Sequence, residues 1–541
     1  MKKKNICCHF GLLLLFTSSC HFTMTKSTTV TKSTFQTDTF RNPILFADVP
    51  DPSVIRVGSD FYMVSTTMHM MPGAPIMKSK DLVNWEIISY VYDSLKDSPK
   101  YDLENGSVYG RGQWATSLRY HNDKYYVFFA TNDPGKSYIY TATDPAGPWQ
   151  LHADIDRLFH DASLLFDDDG KVYLAHGSGN IRITQLKSDL TGIEPNGLDV
   201  IAFSQDEEDN ALLEGAHFAK YNGKYYIFSI SWPRGAARRQ LSYRADNITG
   251  PYEKKVILDH AFNNRGGVAQ GTVIDTEKGE WYGFLFQDHG AVGRVPILVP
   301  CRWEDGWPIL GDADGKVQVV NQKLIEQGKT NSLVKSDDFN NETLDFCWQW
   351  NHNPDNALWS LTERPGYMRL KTGKVTNTIF SARNTLTQRT EGEKNSGSVA
   401  LDISNMKNGD IAGFGVFAEE SGLLSIKMKD DKKILVMSET KMLLSDVRQR
   451  IISGEEAHIK GNPVIITSDV IYLRIDCDFS LHADKATFYY STDNETWTPI
   501  GSEFKMRYAL THFMGYRYAI FNYATETSGG HVDIDFFHHK Q

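Results

Sequence analysis

Cysteine is nearly absent from the body of this chain. Of six cysteines, Cys7, Cys8 and Cys20 fall within the first twenty residues, leaving only Cys301, Cys347 and Cys477 beyond them. Three scattered thiols make no disulfide framework, and no CxxC pair or Cys/His cluster has metal-ligand spacing. The fold must rest on buried apolar surface. A basic excess is also missing: 57 Lys and Arg against 67 Asp and Glu leave a net charge of −10. That excludes a phosphate-tracking surface and argues against a nucleic-acid partner. Long apolar runs are missing too. Leu12 to Phe16 forms a short apolar core that is too brief to cross a bilayer. It follows Lys2-Lys3-Lys4 and ends at Thr17-Ser18-Ser19-Cys20, so residues 1–20 read as an export signal. Cys20, after small residues, is the candidate lipidation site, with simple cleavage nearby as the alternative. The Thr- and Ser-rich residues 21–38 read as a tether. The expectation is an exported protein, periplasmic or lipid-anchored to the envelope of a Gram-negative bacterium, touching membrane only through that anchor.

What the chain does have is one segment written five times. The openings are Asp51-Pro52-Ser53, Trp114-Ala115-Thr116, Asp161-Ala162-Ser163, Glu214-Gly215-Ala216 and Gln270-Gly271-Thr272. Each strand returns through a turn to Phe61-Tyr62, Tyr125-Tyr126, Val172-Tyr173, Tyr225-Tyr226 or Trp281-Tyr282. The turns hold Asn-Gly, Asp-Gly and similar hairpin residues. A period of roughly 45 to 65 residues with strands inside predicts propeller blades. The expectation is an all-β chain with a five-bladed β-propeller over 39–320. A polar stretch follows, and the alternating pattern of 337–541 predicts a C-terminal β-sandwich.

The first strand of a blade is innermost. Small second residues (Pro52, Ala115, Ala162, Gly215, Gly271) suit crowding at the axis. The leading residues then form a funnel floor of Asp51, Trp114, Asp161, Glu214 and Gln270. Three carboxylates in one funnel repel, and repulsion raises at least one pKa. One group can stay protonated while another is ionised, which is the requirement of acid–base chemistry such as glycoside hydrolysis. Turn capping or a structural ion is the alternative for any single acid.

Asp48-Val49-Pro50-Asp51-Pro52-Ser53, Asp161-Ala162-Ser163-Leu164-Leu165-Phe166-Asp167-Asp168-Asp169-Gly170, and Glu214-Gly215 before Tyr221-Asn222-Gly223-Lys224-Tyr225-Tyr226 resemble glycoside hydrolase family 43. The resemblance spans nearly the whole mature chain. It includes the C-terminal sandwich of the xylosidase and arabinofuranosidase branch. It implies an inverting mechanism in which Asp51 is the general base, Glu214 the general acid and Asp161 the pKa modulator. Inversion asks for a base-to-acid gap of roughly 6.5–9.5 Å. The family's Trp-Ala-Pro-Ser run reads Trp114-Ala115-Thr116-Ser117 here, which bears on local loop shape. Arg294 resembles an arginine that contacts sugar hydroxyls, and His289 a histidine near a central water or cation. Trp85 and Phe46 are candidate sugar-stacking walls, with core packing as the equal reading. In the sandwich, His512-Phe513-Met514-Gly515-Tyr516 looks like a loop that closes the pocket, with Phe513 as its aromatic. The implied activity is an exo-acting α-L-arabinofuranosidase on plant cell-wall saccharides. A β-xylosidase is the alternative, and a carbohydrate-binding propeller or a structural surface lipoprotein are readings of other classes. No metal or cofactor is expected, with a structural central cation such as calcium left open.

Overall fold

Alternating apolar and polar residues on either side of each turn fold as antiparallel hairpins. Ser53–Val57 pairs with Asp60–Val64 across Gly58-Ser59, and Leu212–Tyr221 pairs with Lys224–Trp232 across Asn222-Gly223. The computed structural model describes residues 39–322 and 332–541; the export segment, the tether and Cys20 lie outside the described residues. Among the described residues the only helical segments are three 3-10 turns. The chain is all-β, a five-bladed β-propeller followed by a β-sandwich.

Each blade is a four-stranded sheet built from consecutive chain. The inner strands are Ser53–Val57, Gln113–His121, Ser163–Phe166, Leu212–Tyr221 and Ala269–Asp275. Neighbouring inner strands are tied by hydroxyls. Ser53 Oγ accepts from the Leu118 N–H (3.1 Å), Ser117 Oγ from Leu164 (3.1 Å) and Ser163 Oγ from Phe218 (2.8 Å). Pro52, Ala115, Ala162, Gly215 and Gly271 line a narrow axial cavity of about 30 Å³, which explains why these positions are small.

The five openings are not in one frame. The ladder register slips between Gln113 and Thr116 and between Glu214 and His217. Each is a bulge that inserts an extra residue into its blade, and the fifth blade carries a third between Ala269 and Gly271. The left-handed backbone position at the axis is held by Asp51 (φ 50), Asp161 (φ 46), Gly215 (φ 69) and Gln270 (φ 62). Glu214 therefore stands one residue above Asp51 and Asp161. Gly215 is needed twice over: its φ disfavours a side chain, and a Cβ there would sit 2.9 Å from the Gln270 side chain.

The first and fifth blades each use only their own strands, so among the described residues no strand is shared across the seam. The seam is closed by a core that includes Val54, Phe61, Trp85, Ile274, Phe284 and Leu298. Arg56 pairs with Asp275 across it at 2.6 Å. Thr39–Arg41 and Val320–Gln322 meet in a two-stranded ribbon at the two ends of the propeller. Trp85 is fully buried in this core, with its indole N–H donated to the Leu82 carbonyl (2.9 Å) and its ring edge-on to Phe284. Trp85 is thus corrected from sugar wall to seam packing. It closes the turn that Asp81 organises by accepting from the Val83 and Asn84 N–H groups, which aims it inward.

The sandwich stacks two large antiparallel sheets. Met70–Met71 from the first blade extends one of them by pairing with Gln349–Asn351. Phe46 also serves this junction. It lies half-buried, edge-on to His289 at 5.4 Å, and its carbonyl accepts from the Gly392 N–H. It does not wall the funnel cavity.

Candidate active site

Above the axis lies a cavity of about 220 Å³ lined by Asp51, Trp114, Asp161, Glu214, Gln270, Arg294 and Phe513, among others. Pockets for drug-sized ligands run to about 300–1,000 Å³. This one suits a single sugar ring.

Asp51 sits at the floor with its side chain 7% exposed. Arg294 Nη1 donates to both of its oxygens (2.9 and 3.1 Å), and the Thr66 hydroxyl donates to Oδ2 (2.7 Å). These charge-assisted bonds fix one carboxylate orientation. Asp51 comes from the first blade and Arg294 from the fifth. Arg294 is positioned in turn by Asp48, whose Oδ1 accepts from the Arg294 N–H and whose Oδ2 accepts from the Gly515 N–H. Burial drives the Asp48 carboxyl up despite those donors.

Asp161 also sits at the floor and accepts from the Gly215 N–H (3.1 Å). Glu214, higher up and 24% exposed, contacts His160 Nε2 at 3.1 Å, while the same nitrogen lies 3.7 Å from Asp161. Burial pushes Asp161 up to about 7, with the charges of Glu214 and Asp51 adding to it and His160 opposing. The charge of Asp161 raises His160 to about 9 against burial, helped by the Glu214 hydrogen bond. Burial works to raise Glu214 as well, yet the His160 hydrogen bond and charge prevail and hold it below its usual range. The three groups share protons as a unit. They bring one nitrogen and two carboxylate oxygens within 4.8 Å of one another, a donor set that a divalent cation also accepts.

The walls come from both domains. Trp114 donates its indole N–H to the Gly110 carbonyl (3.2 Å) and stacks on Phe513 with centroids 5.6 Å apart. The Arg294 guanidinium lies over the Phe513 ring at 4.7 Å. Phe513 reaches the cavity because the sandwich loop docks tightly: Tyr516 N–H donates to the Ala291 carbonyl (2.9 Å), and a Cβ on Gly515 would lie 2.1 Å from the Val292 carbonyl oxygen. Gln270 lines the cavity with its N–H bonded to Gln240 Oε1 (2.7 Å).

His289 lies outside this lining. Asp288 and Arg294 face each other across an antiparallel pair and so share one face, toward the cavity. His289, the next residue, turns inward between Phe46 and Gln287, with Nε2 2.7 Å from Gln287 Oε1. Burial depresses it to about 3. The cavity also uses residues that sequence reasoning missed. His160 adjoins Asp161, a signal available in the sequence. Asp288 pairs with Arg238 (2.7 Å), and Arg238 lies over the Trp232 face at 4.9 Å. Tyr508 lines the wall with no partner for its hydroxyl. Arg238 and Tyr508 arrive from distant loops and carry no local signal.

A sugar-sized pocket that a clamped carboxylate shares with a proton-sharing Glu–His–Asp group, on a propeller capped by a sandwich, defines a glycoside hydrolase. Residues 40–308 match Glycosyl hydrolases family 43 and residues 336–540 match the Beta xylosidase C-terminal Concanavalin A-like domain. The chain belongs to glycosyl hydrolase family 43. A beta-xylosidase of Formosa agariphila is 31% identical over 92% of this chain and 90% of its own length. A non-reducing-end α-L-arabinofuranosidase of Bacteroides ovatus is 32% identical over 62% of this chain and 65% of its own. A solved structure described as a bifunctional GH43-CE of Bacteroides eggerthii is 43% identical with a TM-score of 0.85 over 92% of this chain. This chain spans 63% of that protein's length.

Proposed function

We propose that the enzyme is an exo-acting, inverting pentosidase that removes one terminal sugar from plant-derived oligosaccharides or polysaccharides. Asp51 is the general base, Glu214 the general acid and Asp161 the group that tunes the acid. The observation that carries this reading is the two-point clamp on Asp51 by Arg294 and Thr66 in a cavity shared with the His160-bound Glu214. A carboxylate held in one orientation by a guanidinium activates water on one face of the ring, and a carboxyl that can receive a proton serves the leaving oxygen on the other. Carboxylate hydrolysis needs no cofactor. The closed end supplied by Phe513 favours chain-end cleavage. Export by residues 1–20, with or without lipidation at Cys20, would bring the enzyme to such substrates.

β-D-Xylosyl is the favoured sugar, because the relative sharing nine-tenths of both chains carries the beta-xylosidase name. α-L-Arabinofuranosyl is the second reading, on the name of the Bacteroides ovatus relative. Comparing kcat/KM on nitrophenyl β-D-xylopyranoside and α-L-arabinofuranoside ranks them, and NMR of the first-formed anomer tests inversion. Hydrolysis of neither glycoside would refute the activity, and a retained anomer would refute the role of Asp51.

A further inference from the structure

A larger concavity also lies between propeller and sandwich. It measures about 850 Å³ and is framed by the outer strands of the first and second blades and by the sandwich segment around residues 344–359. Its size suits several sugar units, against one in the active-site pocket. Tyr90, Trp149, Phe346 and Trp359 line it. Phe346 is 47% exposed, an unusual setting for a large apolar ring. The polar edges of the other rings are anchored. Tyr90 Oη donates to the Phe346 carbonyl (2.7 Å), Trp149 Nε1 to the Pro145 carbonyl (3.2 Å) and Trp359 Nε1 to Asn356 Oδ1 (2.8 Å). Rings held this way keep a fixed tilt, so little conformational entropy is lost when a ligand stacks on them.

The groove's polar groups suit a neutral, hydroxyl-rich ligand. Arg383 pairs with Asp102 within the lining at 3.2 Å, and Asp93, Lys96, Asp345 and Asp355 complete a mixed-sign rim with no basic excess to hold a polyanion. Asn353, 3% exposed, lies at the base of the groove, where its amide donates to the Leu95 carbonyl and to Asp102 Oδ1.

We propose that this groove is a second glycan-binding site, which holds a neutral xylan-type chain of several residues while the funnel takes a chain end. The xylan-type choice rests on the proposed activity; the glycan site itself rests on the groove.

The test uses the full chain carrying Asp51→Asn, titrated calorimetrically with xylohexaose and, in parallel, cellohexaose. Binding that persists when xylose saturates the funnel, and that weakens roughly tenfold in Phe346→Ala, is expected; that factor matches the worth of one aromatic contact. Phe346 is exposed enough for its loss to leave the fold intact, and Trp359→Ala provides an independent second variant. With Asp51 restored, Phe346→Ala should leave kcat/KM on nitrophenyl pentosides unchanged while raising KM for xylohexaose. Loss of all hexaose binding under saturating xylose would overturn the proposal. So would unchanged affinity in both variants, or sedimentation showing that Phe346→Ala dissociates a dimer. Nitrophenyl pentosides left intact, with Phe346-dependent hexaose binding retained, would refute the proposed activity and keep the groove.

Discussion

His160 sets the protonation of the residue beside it. It touches Glu214 at 3.1 Å and is held protonated up to about 9, chiefly by Asp161. Glu214 can donate to a leaving oxygen only while the pair retains a proton. The alkaline limb of kcat/KM should therefore belong to the Glu214–His160–Asp161 group as a whole. In His160→Gln the reserve of protons is gone, and the limb should move to lower pH. A limb that stays in place would assign His160 a packing role only. Glu214→Ala should lose far more activity on natural glycosides than on aryl glycosides with good leaving groups, because only the former need a donated proton. The sequence made Asp51, Asp161 and Glu214 readable as neighbours, since three acids opened equivalent repeats. It hid the one-residue step that lifts Glu214, because a bulge leaves no mark except an extra letter. It left Trp85 open between sugar wall and core, since an aromatic that closes a turn reads the same either way.

The element with the most leverage on the pocket is the sandwich loop around His512–Tyr516. Its Phe513 stacks on Trp114 and lies beneath the Arg294 guanidinium that clamps Asp51. Phe513→Ala should lower kcat/KM at least about tenfold, by loosening both the wall and the arginine. Circular dichroism and Tm should stay near the parent values. An unchanged kcat/KM would remove the loop from the site. The loop's closing role was legible only through the family resemblance of His512–Tyr516. Its docking on Asp48, Ala291 and Val292 was not, because such contacts join residues more than 200 positions apart.

At the scale of the whole molecule, burial of neutral histidine sets the pH range of the fold. His69, His217, His352, His289, His512, His176 and His539 are all depressed, mainly by burial. Their native pKa values lie below the usual 6.5, so the unfolded chain binds more protons beneath that pH. The stability they lend is intact above about 6.5 and is lost as pH falls, by up to about 1.4 kcal/mol per pH unit for each. His160 and Asp161 act in the opposite sense. Their raised values mean that stability declines as pH rises from about 4 to about 7 for Asp161 and from about 6.5 to about 9 for His160. Urea midpoints should peak near neutrality and fall on both sides, more steeply toward acid. A midpoint that is flat between pH 5 and 7 would contradict the burial of these rings.

The join between the first and last blades has a further meaning. Asp51 stands on one bank and its arginine on the other, joined there by the Asp48 carboxylate and the Val49 N–H bond to the Arg294 carbonyl and by no shared strand among the described residues. A small parting there would break the clamp while every blade kept its hydrogen bonds. Mild heat or denaturant should therefore silence turnover before spectroscopy registers any loss of structure, making catalysis itself a gauge of whether the circle is shut.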